Sequence, residues 1–288
     1  MQLTLGSFPL RGLCALLLIL SGDGRSYRLN DPFPRVPGGD VKELELSADG
    51  AWLVYWADVE VLGVDTLYSL PSDGSAAPVE LADVAPVLFH SPPAISPDGT
   101  RVLFTTRTTF TGLSRLYSVP SDGSATPVEL VGPHVSSFQI SPDSARVLFR
   151  GDVFTDAKFV LCSMPIDGRA GPIAVNGPLT AQADVQEFAI SPDGTRVVYR
   201  ADAITNGKNE LFSAQVGVAA SGIKLSGTLV SGGQVQPAFH IGADGARVVY
   251  LADGLTNDVF ELFRVPIDAS ASPLRLNAPL SGNRRRSG

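Results

Sequence analysis

The chain has 288 residues, of which 44% are hydrophobic and 18% charged, and its net charge is −7 at pH 7. This composition is too apolar for a disordered chain and is sufficient for a packed core. The acidic balance argues against nucleic acid as a partner, because basic contacts to phosphate dominate that kind of binding.

The first predicted element is a short apolar segment near the N-terminus. Arg11 precedes the apolar run 12–20, and small or polar residues follow at 21–24. This order is typical of a secretory signal, and the run is too short to span a bilayer. We therefore predict a signal peptide over residues 1–24, export to the periplasm or secretion, and no transmembrane segment in the mature chain. The alternative interpretation is that 16–20 forms a strand of a degenerate repeat.

After this segment, one short phrase returns five times. It is a Ser-Pro-Asp-Gly turn, or a close variant of it, followed by an apolar strand that ends near an aromatic residue. The copies begin at Ser47, Ser96, Ser141, Ser191 and Gly242. A period of about 50 residues indicates a solenoid, a propeller or an array.

Each repeat contains four predicted strands. Apolar residues alternate in the first, as at 188–190, and the second is a continuous apolar run, as at 196–199. The third strand, as at 211–214, follows a variable loop. The fourth, as at 127–130, usually opens with proline and carries charges, which is typical of an edge strand. This order predicts an all-β fold, a β-propeller of four-stranded antiparallel blades. A β-sandwich does not explain the fixed order of turn, aromatic residue and proline.

The number of blades has two interpretations. Five complete repeats are visible, and the segment 27–30 matches the fourth strand of the last repeat at 274–277. The propeller, assigned to residues 25–280, is then either closed with five blades or an incomplete six-bladed form. In the second case the chain is a fragment of a longer protein. Residues 281–288 form a basic C-terminal tail, interpreted as a solvated end.

Two of the repeats carry a resemblance to a known family. The segments 95–104 and 190–199, which read ISPDGTRVLF and ISPDGTRVVY, resemble the WD-like propeller repeat of the TolB-like family, named for a component of the Tol-Pal system. The resemblance covers roughly residues 27–277. It implies a β-propeller in the cell envelope that binds other proteins. The same repeat also occurs in the propeller domains of oligopeptidases.

Motifs for catalysis and cofactor binding are missing from the sequence. It contains no Gly-x-Ser-x-Gly elbow, no His-Glu-x-x-His, no phosphate loop and no dinucleotide fingerprint. His90, His134 and His240 fall at three different repeat positions. Cys162 replaces an aromatic residue of the other repeats and is interpreted as a small buried hydrophobe. We therefore predict no catalytic residue, no cofactor and no metal site.

The candidate binding residues lie on the loops that follow the second strands. Connections in an antiparallel blade alternate between its two ends, so these loops share one end with the connections between blades. Variable loops on a rigid scaffold usually carry recognition. We predict that they bind a protein or peptide partner and that the protein is monomeric. The residues that mark this surface are Asp58, Arg107, Asp152, Asp202, Asn206, Asp253 and Asn257.

The acidic residues allow two further interpretations, a calcium site and a hydrolase site. A calcium loop would need more oxygen ligands at alternating spacing, and Asp and Asn side chains that hold their own loop backbone explain the pattern. The alternative function is a channel-centred hydrolase, of a glycosidase or lactonase-like type. It would use Glu43, Glu45 and Glu187 on the first strands, because paired carboxylates carry out glycoside hydrolysis. A polar lining of the channel explains the same residues.

Overall fold

The computed structural model describes residues 19–20, 26–27, 39–58, 61–82, 89–107, 114–154, 158–278 and 280. Most of the predicted signal peptide and the whole basic tail lie outside these residues. Near the N-terminus, strand β1 (Ile19–Leu20) pairs with β2 (Ser26–Tyr27) in antiparallel fashion. Among the described residues there is no helix long and apolar enough to cross a membrane.

The described chain is all-β and contains several four-stranded antiparallel sheets whose strands follow one another in sequence, which confirms the predicted β-propeller fold class. It divides into two compact units. The first comprises Met1–Gly112 and Tyr117–Val128, and the second comprises Leu113–Leu116 and Glu129–Gly288.

The first unit carries the first blade and most of the second repeat. The strands of the first blade are β3 (Val41–Leu46), β4 (Trp52–Ala57), β5 (Thr66–Pro71) and β6 (Val79–Ala82). The next repeat has β7 (Phe89–His90), β8 (Ala94–Ile95), β9 (Arg101–Arg107) and β10 (Ser114–Pro120). Both β7 and β8 pair with β9. Pro92 and Pro93 separate them, because proline has no N–H for the ladder.

The second unit carries three blades. The third repeat has β11 (Val128–Ile140), β12 (Arg146–Gly151), β13 (Val160–Pro165) and β14 (Ile173–Ala174). The fourth has β15 (Val185–Ile190), β16 (Arg196–Ala201), β17 (Glu210–Gln215) and β18 (Ile223–Lys224). The fifth has β19 (Val235–Ile241), β20 (Arg247–Ala252), β21 (Glu261–Pro266) and β22 (Leu274–Arg275).

Strand β11 differs from the expectation of two separate strands at 127–130 and 138–140. The residues between them are extended as well, so a single strand runs from Val128 to Ile140. Val131 and Val135 in this connection are buried. β-Branched side chains favour an extended backbone, and burial of the two valine side chains stabilises that conformation. The connection is therefore a strand and not a loop.

The repeated Ser-x-Asp turn is fixed by its own side chains. In the fourth repeat the Ser191 hydroxyl donates to the Asp193 carboxylate over 2.5 Å, and the Thr195 N–H donates to the same carboxylate over 3.1 Å. Gly194 closes the turn with φ of 71°, which glycine adopts without strain. The bond from Ser191, together with that from Thr195, holds the pKa of Asp193 below its usual value. These contacts set the direction in which the second strand leaves the turn.

Four of the five repeats contain a pair of facing aromatic rings on the second and third strands. The stacked pairs, with centroids 5.4–5.6 Å apart, are Tyr55–Tyr68, Phe104–Tyr117, Tyr199–Phe212 and Tyr250–Phe263. In the third repeat Cys162 lies opposite Phe149 instead. Burial raises the pKa of the Cys162 thiol to about 12, so the thiolate is disfavoured.

Within the second unit, neighbouring blades share hydrophobic clusters. Leu148 and Leu161 of the third repeat pack with Tyr199 of the fourth. Val198 of the fourth repeat packs in turn with Tyr250 of the fifth. These shared clusters fix neighbouring blades of the second unit against one another, and the loops at the ends of the blades extend from this packed framework.

Candidate functional site

Buried aspartates anchor the loops that follow the second strands. Asp202 is 7% exposed, and each of its carboxylate oxygens accepts a backbone N–H. One bond comes from Asp184 in the incoming connection, and the other comes from Gly207 in the outgoing loop, each over 2.8 Å. One carboxylate therefore ties the connection between blades to the loop beside it.

The same arrangement recurs in the fifth repeat. The Asp253 carboxylate accepts from Gln234 over 2.5 Å and from Asp258 over 3.0 Å. Asp253 is 1% exposed, so its carboxylate acts inside the protein.

In the first repeat, Asp58 accepts from Asp40 over 2.6 Å and from Gly63 over 3.0 Å. Burial raises the pKa of Asp58, but the two N–H donors and the charge of Lys42 outweigh it, so the pKa is lowered overall. Asp58 therefore keeps its charge while it holds its loop. Asp202 and Asp253 hold their own loops through equivalent hydrogen bonds.

The remaining predicted residues lie closer to solvent. Arg107 and Asp152 are half-buried, whereas Asn206 and Asn257 are exposed. Asn206 donates to the Gln182 side chain over 3.0 Å, which joins its loop to the preceding connection. The seven predicted residues thus separate into internal anchors and surface groups.

Exposed apolar side chains at the loop tips were not among the predicted residues. Phe154, Ile204 and Leu255 are 53%, 55% and 54% exposed, and each stands two residues after the aspartate of its repeat. In the first unit, Val61 and Leu62 are also more than half exposed on the equivalent loop. The sequence could have indicated these residues, because in three repeats an apolar residue stands two positions after the aspartate.

A polar cleft of about 400 Å³ lies beside the loop of the fourth repeat. The segments 205–208 and 231–234 form its walls. The Lys208 ammonium donates to the carbonyls of Leu229 and Val230, each over 3.2 Å, and so braces the wall. Gly232 has φ of 80°, and a Cβ there would lie 2.7 Å from the Asn257 amide oxygen. This close approach requires glycine and brings the fifth-repeat loop against the cleft.

The acids of the hydrolase alternative belong to different units. Glu187 on β15 makes a bidentate ion pair with Arg200, with distances of 2.6 and 3.0 Å. Both carboxylate oxygens of Glu187 are therefore engaged by one guanidinium. Glu43 and Glu45 lie on β3 of the first unit, where burial raises the pKa of Glu45.

Of the three histidines, the structure describes the side chain of His240. His240 is exposed on β19, whereas the side chains of His90 and His134 lie outside the described ones. Within the described ranges, no group of three or more His, Cys, Asp or Glu side chains is placed to hold a metal ion.

Comparison with known proteins gives matches among solved structures. No protein-family model matches the chain, and no curated protein matches it in sequence. A TolB candidate from Agrobacterium tumefaciens is 20% identical with a TM-score of 0.47, and the match covers 82% of this chain and 79% of that one. A puromycin hydrolase is 16% identical with a TM-score of 0.54, and the match covers 92% of this chain.

A puromycin-hydrolyzing peptidase from Mycobacterium tuberculosis is 19% identical with a TM-score of 0.51, again over 92% of this chain. The chain spans 42% of the length of each of these two enzymes. At these identities, the likeness to the two enzymes shows a shared fold.

Proposed function

We propose that this chain is a non-catalytic β-propeller scaffold of the cell envelope that binds a protein or peptide partner. The binding surface is the loop end of the second unit, defined by residues 152–154, 202–209 and 253–260 with the connection 228–234. The envelope location rests on the apolar run at 12–20 and on the resemblance of the repeats to the TolB-like family.

The recurrence of exposed apolar residues on anchored loops carries this proposal. Single exposed apolar residues are normal on any surface. Here Phe154, Ile204 and Leu255 occupy the same offset in three repeats, each more than half exposed. A partner that covers them gains about 25 cal/mol for each Å² of apolar surface that leaves water.

The anchors make these loops suitable for binding. Asp202 and Asp253 each hold two backbone N–H groups, so the loops are ordered before a partner arrives. Association then costs less conformational entropy than it would for loose loops. The predicted aspartates therefore act on the partner indirectly, by positioning the residues that touch it.

Polar groups border the apolar ones. The cleft beside the fourth-repeat loop presents Asn206, Ser231 and the backbone of Gly232 and Gly233. An apolar centre with a polar border is the usual composition of a recognition surface. The non-catalytic part of the proposal is supported by Glu187, because the Arg200 guanidinium takes up both of its carboxylate oxygens.

A displayed peptide library, selected on the wild-type protein, tests the proposal. Dissociation constants of the selected peptides are measured by fluorescence anisotropy for wild type, for the double variant Ile204→Ser/Leu255→Ser and for Val218→Ser. Val218 is a matched control, because it is 45% exposed and lies between the third and fourth strands, at the opposite end of its blade.

The double variant should bind at least about tenfold more weakly, since covering one such side chain contributes about 1.5–3 kcal/mol. Val218→Ser should bind like wild type. Equal affinity in the double variant, or a selection that yields no binding peptide, would contradict the proposal.

A further inference from the structure

A small cavity lies in the last blade, next to the stacked rings of Tyr250 and Phe263. Its volume is about 190 Å³. The other residues that line it are Ser226, Gly227, Thr228, Leu229, Gly254, Leu255 and Pro273. None of these side chains is charged, and two aromatic rings form part of the wall.

The equivalent place in the fourth blade is closed. There the backbone of Gly222 lies against Gly177, and a Cβ on Gly222 would come within 2.3 Å of the Gly177 nitrogen. The Gly177 N–H donates to the Tyr199 hydroxyl over 3.3 Å. The tyrosine of the fourth blade is therefore satisfied by the connection that covers it.

The residue that opens the fourth strand differs between the two blades and decides whether this place is closed. Pro273 stands where the fourth blade has Gly222, and its ring cannot approach as closely as a glycine. Its Cγ lies 3.5 Å from the position that a Cβ on Gly227 would take. The Gly227 N–H donates to the carbonyl of Leu225 over 3.1 Å instead.

Tyr250 is left with an unused hydroxyl. The residue is 3% exposed, yet among the described residues its hydroxyl has no hydrogen-bond partner. The residue as a whole is buried, but its hydroxyl oxygen stays accessible where Tyr250 lines the cavity. A polar group that enters the cavity can therefore exchange a hydrogen bond with it.

We propose that this cavity binds an uncharged aromatic ring that carries one polar group. An apolar cavity of about 150 Å³ accommodates benzene, so the larger volume here has space for a ring with a small substituent. The rings of Tyr250 and Phe263 in the cavity wall suit contact with a third ring, and the Tyr250 hydroxyl bonds the substituent. The uncharged wall disfavours carboxylates and ammonium groups. The ring can belong to a free phenol or to a tyrosine side chain of a peptide.

Ligand-observed NMR titrations test this site independently of the proposed function. The probes are p-cresol as a free phenol and N-acetyltyrosine amide as a peptide-borne one, with benzoate and benzylamine as charged controls. We expect p-cresol to bind with a dissociation constant of about 1 mM and the charged controls to bind at least about tenfold more weakly. Binding of p-cresol alone identifies a free small molecule, whereas binding of both probes identifies a site that also accepts tyrosine side chains.

Three variants connect the binding to the cavity. Gly227→Val places three carbons in the cavity and should abolish binding. Gly171→Val is the matched control, because a Cβ there meets nothing within 4 Å. Tyr250→Phe should weaken p-cresol about fivefold while toluene binds unchanged, since one neutral hydrogen bond is lost.

The proposal is overturned if neither probe saturates, or if Gly227→Val binds p-cresol like wild type. Ile204→Ser, which lies outside the cavity wall, separates this result from the peptide-binding proposal. That variant should weaken the selected peptides and leave p-cresol binding intact.

Discussion

Removal of the Asp202 carboxylate should destabilise the protein and loosen the loop end. Asp202→Ala removes two hydrogen bonds, from the N–H groups of Asp184 and Gly207. A bond to a charged acceptor contributes about 1.5–3 kcal/mol, so both together contribute about 3–6 kcal/mol. Gly207 is exposed, and water can reach its N–H once the carboxylate is gone. We therefore expect a loss near the lower limit, about 3 kcal/mol.

Two measurements check this expectation. Urea denaturation gives the change in the free energy of unfolding, and hydrogen exchange reports the amides of Asp184 and Gly207 individually. Both amides should lose protection in the variant. Thr205→Ala is the matched control in the same loop and should change stability by less than about 0.5 kcal/mol, because its side chain is exposed. A loss below about 1 kcal/mol with both amides still protected would refute the anchoring role of Asp202.

Three further predictions concern the scaffold. Ala269 has φ of 58° where the equivalent Gly168 has 74°, so Ala269→Gly should stabilise by about 1 kcal/mol and Gly168→Ala should destabilise by at least as much in thermal unfolding. Cys162, whose pKa burial raises to about 12, should resist alkylation at pH 8 until urea unfolds the chain, as mass spectrometry of its peptide will show. Ser191→Ala should raise the pKa of Asp193 toward its usual value, measured by NMR. The stability that this lowered pKa contributes is present above pH ~4 and is lost as the pH falls through the native pKa, so the difference between wild type and variant should shrink at low pH.

The sequence predicted the parts of the fold that depend on local repetition. Turn residues, alternating apolar positions and edge prolines recur in each repeat, and each has a local physical cause. The long strand β11 was not foreseen, because burial of Val131 and Val135 makes the connection extended, and burial depends on tertiary packing.

The candidate site was predicted only in part, for a related reason. The offset of Asp202 and Asp253 identified the loops, and these side chains were expected to hold their own loop backbone, as they do. Their second bonds, to the preceding connections, were not expected, because they depend on tertiary packing. The fifth blade keeps the proline that usually opens the fourth strand, Pro273, whereas Gly222 of the fourth blade departs from the repeat and closes the equivalent place. This difference is visible in the sequence, but its consequence depends on the position of Tyr250 and its neighbours.

Hydrogen exchange of the protein with and without a selected peptide tests the central claim most directly. The account predicts that the peptide protects amides within 202–209, 228–234 and 253–260, at the loop end of the second unit. The turns at 166–169 and 191–195, at the opposite end of the blades, should exchange as they do in the free protein. Protection at those turns, with the loop end unchanged, would contradict the assignment of the loop end as the binding surface.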